Sequence, residues 1–129
     1  MSAPCILIVE DDEAIQELVH TALEYAGYRV VNASNGKEAL AMLEEHQPDL
    51  IFLDMLMPVM NGWNFLAAYH TLSGACIPII AVSAYTEDPQ SIPCVEAFIT
   101  KPFGLAPLLE LVDTLVGRPE NSASRSKQV

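Results

Sequence analysis

Apolar positions along this chain change period repeatedly. Cys5–Val9 is an unbroken apolar run, which predicts a strand buried on both faces. Ile15, Leu18, Val19, Ala22 and Leu23 then recur at three- and four-residue spacing, predicting a helix with these side chains inward and Gly27 just beyond its end. Residues 28–33 read as a second strand, after which Ser34 or Asn35 caps a helix that turns Ala39, Leu40 and Leu43 inward. Pro48 and Asp49 break the chain before a third strand at 50–53, and Pro58, Asn61 and Gly62 mark a loop. A helix over 63–72 carries Phe65, Leu66 and Tyr69 on its apolar side. Strands follow at 78–82 and 97–100, and a helix over 105–116 accepts Pro107 in its first turn.

Strands alternating with helices in this way predict an α/β domain with a mostly parallel sheet and helices on both faces. The stretch between the fourth and fifth strands breaks the rhythm. Pro93 cannot lie inside a helix, and the residue before it is pushed out of the α region. The fourth of five helices is therefore expected to be shortened to one or two turns within residues 86–92. From residue 118 the composition turns polar, so the expected division is a domain over 4–117 and a flexible tail over 118–129.

Composition narrows the function classes. The chain has 129 residues, 51% of them apolar, which suits one domain that folds without a disulfide or metal staple. Seventeen acids against six bases give a net charge of -11, and up to residue 117 the only bases are Arg29, Lys37 and Lys101. Such a surface repels phosphate backbones and anionic bilayers, so neither direct nucleic-acid binding nor membrane attachment is expected. Cys5, Cys76 and Cys94 are odd in number and hold no Cys-x-x-Cys pair, and they read as small unpaired hydrophobes. The first apolar run stops at Glu10, too short for a secretory signal, and no stretch is long enough to span a bilayer. A cytoplasmic protein is expected.

The chemistry gathers after the strands. Glu10, Asp11 and Asp12 follow the first, Asp54 the third, Ser83 the fourth and Lys101 the fifth. In an open parallel sheet the carboxyl ends of the strands form the ligand-binding rim. Asp54 is the unusual residue, since it lies within the most apolar stretch of the chain, where a bare carboxylate is costly. Two carboxylates roughly 5 Å apart repel by about 3 kcal/mol at an effective dielectric of 20. Lys101 or a divalent cation can offset this, and all-oxygen donors favour Mg²⁺ over zinc or copper. Glu13 reads as an acid at a helix N-terminus. His20, His46 and His70 share no motif spacing and read as surface or helix-flank residues. Trp63 reads as a packing residue at a helix start, and Met55, Met57 and Met60 as core and loop filling.

Four segments, Ile-Leu-Ile-Val-Glu-Asp-Asp-Glu, Asp-Leu-Ile-Phe-Leu-Asp-Met-Leu-Met-Pro-Val-Met-Asn-Gly, Pro-Ile-Ile-Ala-Val-Ser-Ala and Ile-Thr-Lys-Pro-Phe, occur in an order that resembles the receiver domain of bacterial two-component response regulators. The spacings from Asp11 through Asp54 and Ser83 to Lys101 are 43, 29 and 18 residues, and the resemblance covers residues 5–116. It implies a flavodoxin-like sheet of order 2-1-3-4-5. It implies a phosphorelay phosphoacceptor, not an enzyme acting on a separate substrate, that takes a phosphoryl group from a phosphohistidine onto Asp54 and assists its own phosphorylation and slow dephosphorylation. Asp11 and Asp54 would bind Mg²⁺ directly, Glu10 mainly through water, and the Leu56 backbone carbonyl would add a ligand, with Asp12 ranked below them. Lys101 and the Ser83 hydroxyl would clamp the phosphoryl oxygens. Ser83 and Phe98 would form the switch, Leu56 and Tyr85 would tune attack by water, and Lys101-Pro102 would be cis. The expected partners are a sensor histidine kinase or phosphotransfer protein upstream and an unknown protein downstream, the chain acting as a stand-alone receiver.

Three other readings fit less well. An aspartyl phosphatase of the haloacid dehalogenase type needs a second acid two residues after its nucleophile, where this chain has Leu56. A flavin or nucleotide module needs an anion cradle after the first strand, where this chain has four acids in succession. A degenerate receiver would act as a constitutive binding module, against which the complete acid set with Lys101 argues.

Overall fold

The computed structural model describes residues 3–55, 62–72, 77–83 and 94–117. Its elements are β1 (Cys5–Val9), α1 (Glu13–Tyr25), β2 (Arg29–Ala33), α2 (Gly36–His46), β3 (Leu50–Asp54), α3 (Gly62–Leu72), β4 (Ile79–Ser83), β5 (Val95–Thr100) and α4 (Leu105–Val116). The strands pair in parallel in the order β2-β1-β3-β4-β5. This is the doubly wound arrangement expected from the alternation of elements. The shortened helix expected at 86–92 and the tail at 118–129 lie outside the described residues.

Period-two burial builds two cores from one sheet. Ile6, Ile8, Leu50, Phe52, Ile80 and Val82 face one side, where Val19 and Leu23 of α1 and Leu108 and Val112 of α4 cover them. Leu7, Val9, Ile51, Leu53, Ile79 and Ala81 face the other side, against Ala39 of α2 and Phe65, Leu66 and Tyr69 of α3. β1, β3 and β4 are buried on both faces, which is why they read as unbroken apolar runs. β2 is an edge strand, and its Arg29 is exposed.

Helix ends follow local chemistry. Asp12 caps α1, its Oδ1 accepting from the Ala14 and Ile15 amides at 2.9 and 3.2 Å. Gly27 follows α1 with φ of 102°, a conformation glycine adopts without steric penalty. Asn35, not Ser34, caps α2 by accepting from the Glu38 amide, while the Glu38 carboxylate accepts from the Ser34 amide.

Several expectations are corrected. Leu18 is 52% exposed rather than inward, because α1 seats Val19 and Leu23 on the sheet and Leu18 lies off that line. Trp63 is 45% exposed rather than packed. Gly62 begins α3 and is not a loop residue. β5 starts at Val95, two residues before the expected 97, because a bulge against Ile79 and Ile80 lets the register slip. Cys94 is disulfide-bonded, so the reading of all cysteines as unpaired fails. Cys5 is buried and free as expected.

Candidate functional site

β1 delivers the first acids. Glu10 directly follows the strand and is fully buried, and its amide continues the ladder by donating to the Ala33 carbonyl at 3.0 Å. The Gln16 amide from α1 donates to both the Glu10 and Ala33 carbonyls, at 2.9 and 3.3 Å. This pins the point where β1 and β2 diverge. Glu10 Oε2 accepts from the Asp12 amide at 3.1 Å, which aims the carboxylate across the strand ends. Asp11 is exposed, so the acid pair runs from the sheet interior to the surface.

Asp54 is the last residue of β3 and is 2% exposed. The Met55 amide beyond it still donates to the Val82 carbonyl at 2.9 Å, so the backbone bearing Asp54 is held on both sides. Gly62 closes over this point, its amide donating to the Met55 carbonyl at 3.1 Å. A Cβ on Gly62 would stand 2.6 Å from Met55 Cα and 3.1 Å from the Asp54 carbonyl oxygen, so only glycine lets α3 start here. Ser83 ends β4 and is half-buried, and its carbonyl accepts from the Lys101 amide at 3.2 Å. Lys101-Pro102 is a cis peptide.

The side chains converge. Carboxylate oxygens of Glu10, Asp11 and Asp54 lie within 4.8 Å of one another. Lys101 Nζ reaches Asp54 Oδ2 at 3.3 Å and Glu10 Oε1 at 3.7 Å. Burial pushes the Glu10 carboxyl up to about 7, opposed by the Asp12 amide and reinforced by Asp54. Burial alone would lower the Lys101 pKa, but the charges of Glu10 and then Asp54 hold its ammonium above the ordinary lysine value. Among the described residues one ammonium thus faces three carboxylates.

This surplus of negative charge suits a small, hard cation. Among the described residues Glu10 Oε1 is buried with no hydrogen-bond partner, the Lys101 ammonium being beyond hydrogen-bond reach. With Asp11 and Asp54 it offers the all-oxygen donor set that Mg²⁺ prefers. Asp12 spends its carboxylate capping α1, which explains its lower rank as a ligand. That role was readable from an aspartate preceding a periodic run. No pattern in the sequence marked Gln16 as the brace under Glu10.

Glu10, Asp11, Asp54, Ser83 and Lys101 therefore share the rim at the carboxyl ends of β1, β3, β4 and β5. Phe98 lies within β5, half-buried against the α2–α3 core. Leu56, Pro58 and Tyr85 fall outside the described residues. His20 Nδ1 accepts from the Asn32 Nδ2 amide at 2.8 Å and its Nε2 lies near Glu24, and His46 lies near Glu45. Neither lies in the carboxylate cluster.

Residues 6–113 match the response regulator receiver domain, and the chain belongs to that family of two-component signalling domains, whose members are phosphoacceptors. It is 30% identical to the transcriptional regulatory protein PrrA of Mycobacterium tuberculosis over 132 aligned residues, covering 99% of this chain and 56% of that protein. It is 31% identical to the response regulator MprA of Mycolicibacterium vanbaalenii, covering 94% of this chain and 54% of the other. The chain thus spans about half the length of the curated relatives it matches. Among solved structures it resembles the chemotaxis protein CheY4 of Vibrio cholerae, with a TM-score of 0.79, 28% identity, and coverage of 88% of this chain and 99% of that one. It also resembles the receiver domain of a Pseudomonas aeruginosa sensor histidine kinase that has a magnesium ion coordinated in its active-site cleft. There the TM-score is 0.77 and identity 27%, covering 90% of this chain and 99% of that one. Among the described residues no helix is long and apolar enough to cross a membrane.

Proposed function

We propose that Asp54 is the phosphoacceptor of this receiver and takes its phosphoryl group from a phosphohistidine on a sensor kinase or phosphotransfer protein. The observation that carries this reading is the Lys101 ammonium 3.3 Å from a buried Asp54 carboxylate, within a cluster that also holds Glu10 and Asp11. An Asp54 carboxylate oxygen attacks phosphorus, the new O–P bond forms as the N–P bond breaks, and the imidazole, already protonated on its other ring nitrogen, leaves as the neutral ring. Phosphoryl transfer needs charge neutralisation and alignment more than covalent help. Lys101 serves both ends of this requirement, holding Asp54 in place beforehand and neutralising a phosphoryl oxygen afterwards. Ser83, at the end of the adjacent strand, offers its hydroxyl to a second oxygen. Its movement toward the phosphoryl group would free space into which Phe98 turns.

Mg²⁺ is the proposed cofactor, with Asp11, Asp54 and the Leu56 carbonyl as ligands and Glu10 acting mainly through water. When bound it would neutralise the carboxylates and the incoming phosphoryl charge. The domain acts on its own side chain and so is not an enzyme with a separate substrate. A downstream protein would read the phosphorylated state, in the cytoplasm and without direct nucleic-acid contact by residues 4–117. The tail, residues 118–129, would be a flexible extension.

The test is direct. Incubation with Mg²⁺ and acetyl phosphate should add one phosphoryl mass, located by peptide mapping on Asp54. Omission of Mg²⁺ should abolish it. Labelling at another residue, or none in the native chain, would overturn the assignment.

A further inference from the structure

Trp63 is the only tryptophan in the chain, and it stands 45% exposed at the second position of α3. This exposure is built in. Phe65, Leu66 and Tyr69 seat α3 on the sheet, with Phe65 and Tyr69 stacked at a centroid distance of 6.1 Å. Two residues of an α-helix are about 200° of rotation, so Trp63 points away from the side that Phe65 buries. Its place in the molecule is equally constrained. Gly62 rests on the backbone of Asp54 and Met55, and Trp63 is the next residue. The backbone of Trp63 therefore stands at the start of α3 on the carboxyl-end side of the sheet, one residue beyond the glycine that packs on the Asp54–Met55 backbone, and its indole is exposed there.

The surroundings decide what can cover it. The cleft holds Glu10, Asp11 and Asp54 against one ammonium, with Glu13 at the start of α1 adding to the field. A second copy of this chain would bring the same negative charge and be repelled. A partner that places lysine or arginine beside its transferable phosphoryl group gains twice, from attraction to the acidic rim and from stacking a cation on the indole face. Tryptophans exposed in a free protein and covered in a complex are among the residues that most often dominate binding.

We infer that Trp63 is a specificity-determining contact for the protein phosphodonor, recognising a cationic side chain beside the donor's phosphohistidine. This inference rests on the phosphoacceptor reading of Asp54 and assigns Trp63 no part in the chemistry. A small donor such as acetyl phosphate has no surface to meet the indole and is indifferent to it.

The experiment compares the native chain with Trp63→Ala and Trp63→Phe in two transfer reactions. One uses acetyl phosphate. The other uses the fastest donor found among a panel of autophosphorylated histidine-kinase cytoplasmic portions. Trp63→Ala should lower kcat/KM for the kinase by about tenfold, chiefly through KM, with Trp63→Phe intermediate. Acetyl phosphate labelling and the urea midpoint should stay level for both variants. Added salt should slow the kinase reaction of the native chain and spare the acetyl phosphate reaction. The inference is overturned by an equal loss with both donors, by no loss with the kinase, or by a panel in which no kinase outruns acetyl phosphate. Failure of acetyl phosphate to label native Asp54 overturns the phosphoacceptor reading instead, which separates the two.

Discussion

Lys101 Nζ lies 3.3 Å from Asp54 Oδ2, joining the end of β5 to the end of β3 across the end of β4. The pair is part-buried, and Glu10 Oε1 is close by at 3.7 Å from the same nitrogen. Removing the ammonium leaves two buried carboxylates facing each other. Lys101→Met should therefore lower stability without metal by about 1–3 kcal/mol at neutral pH, the range for stranding a buried polar partner. The loss should shrink in acid, where the carboxylates protonate, and Mg²⁺ should recover part of it. Urea unfolding at two pH values, with and without Mg²⁺, checks this. An unchanged midpoint at neutral pH would show that the pair contributes nothing.

Gly62 tests the backbone side of the same site. Its missing Cβ leaves room for Met55 Cα and the Asp54 carbonyl, which belong to backbone held in the sheet and cannot swing aside as a side chain can. Gly62→Ala should cost about 1–3 kcal/mol from overpacking. It should also slow acetyl phosphate labelling by displacing Asp54. Gly104→Ala is the control, since a Cβ there meets only the Pro107 ring, at 3.3 Å. A Gly62→Ala chain as stable and as reactive as the control would contradict the close approach.

The fold was legible where burial is two-sided. β1 and β3 are apolar runs because helices cover both faces of the sheet, and the acids Glu10 and Asp54 stand at their carboxyl ends. The acids and Lys101 were legible as a rim because each ends or directly follows a strand. Periodicity assigns a helix face only to within a residue or so, and that margin separates Val19 from Leu18 on α1. Trp63, read as a packing residue at a helix start, is exposed because the seat of α3 is fixed by Phe65 and Tyr69. The onset of β5 depended on a bulge against β4, a pairing between distant segments that no local pattern carries. Gln16 was invisible because its partners are backbone carbonyls on two other elements.

The buried Glu10 carboxyl sets a pH dependence. Its pKa rises from an ordinary 4.5 to about 7 in the folded chain, first through burial and then through Asp54. The folded state thus holds this proton more tightly than the unfolded state. The stability it contributes is full below the unfolded value and is lost as pH rises through about 7. Lys101, held above its ordinary value, loses its contribution only in stronger alkali. Mg²⁺ needs the ionised carboxylates, so it should raise the melting temperature more at alkaline than at mildly acidic pH. Melting curves of the native chain and Glu10→Gln isolate this carboxyl from the others. The variant should show a flatter decline across the window, and an identical decline in both would assign it elsewhere.

Asp54→Asn removes the nucleophile and one charge together. Phosphorylation should vanish, because an amide oxygen does not form a stable phosphoryl adduct. Folding should survive, since Lys101 retains Glu10 as a partner and the repulsion among three acids is relieved. Stability without Mg²⁺ should stay level or rise, and the stabilisation by Mg²⁺ should fall. A clear loss of metal-free stability in urea would argue against crowding among the acids.

The lifetime of the phosphoryl group tests the two proposed tuning positions. Hydrolysis requires a water aligned with the O–P bond, and a carboxylate or amide beside the phosphorus is what holds such a water. The residue two after Asp54 is Leu56, and the residue two after Ser83 is Tyr85. Neither offers a carboxylate or amide, and both are bulky enough to crowd the approach of water. The phosphorylated chain should therefore persist for minutes or longer once acetyl phosphate is removed, as followed by intact mass. Leu56→Asn should shorten the half-life by about tenfold, the scale of one well-placed polar group in proton transfer or water alignment. Tyr85→Ala should shorten it less, because it opens space without orienting the water. A native half-life of seconds, or a Leu56→Asn chain that decays no faster, would remove these positions from control of the reaction.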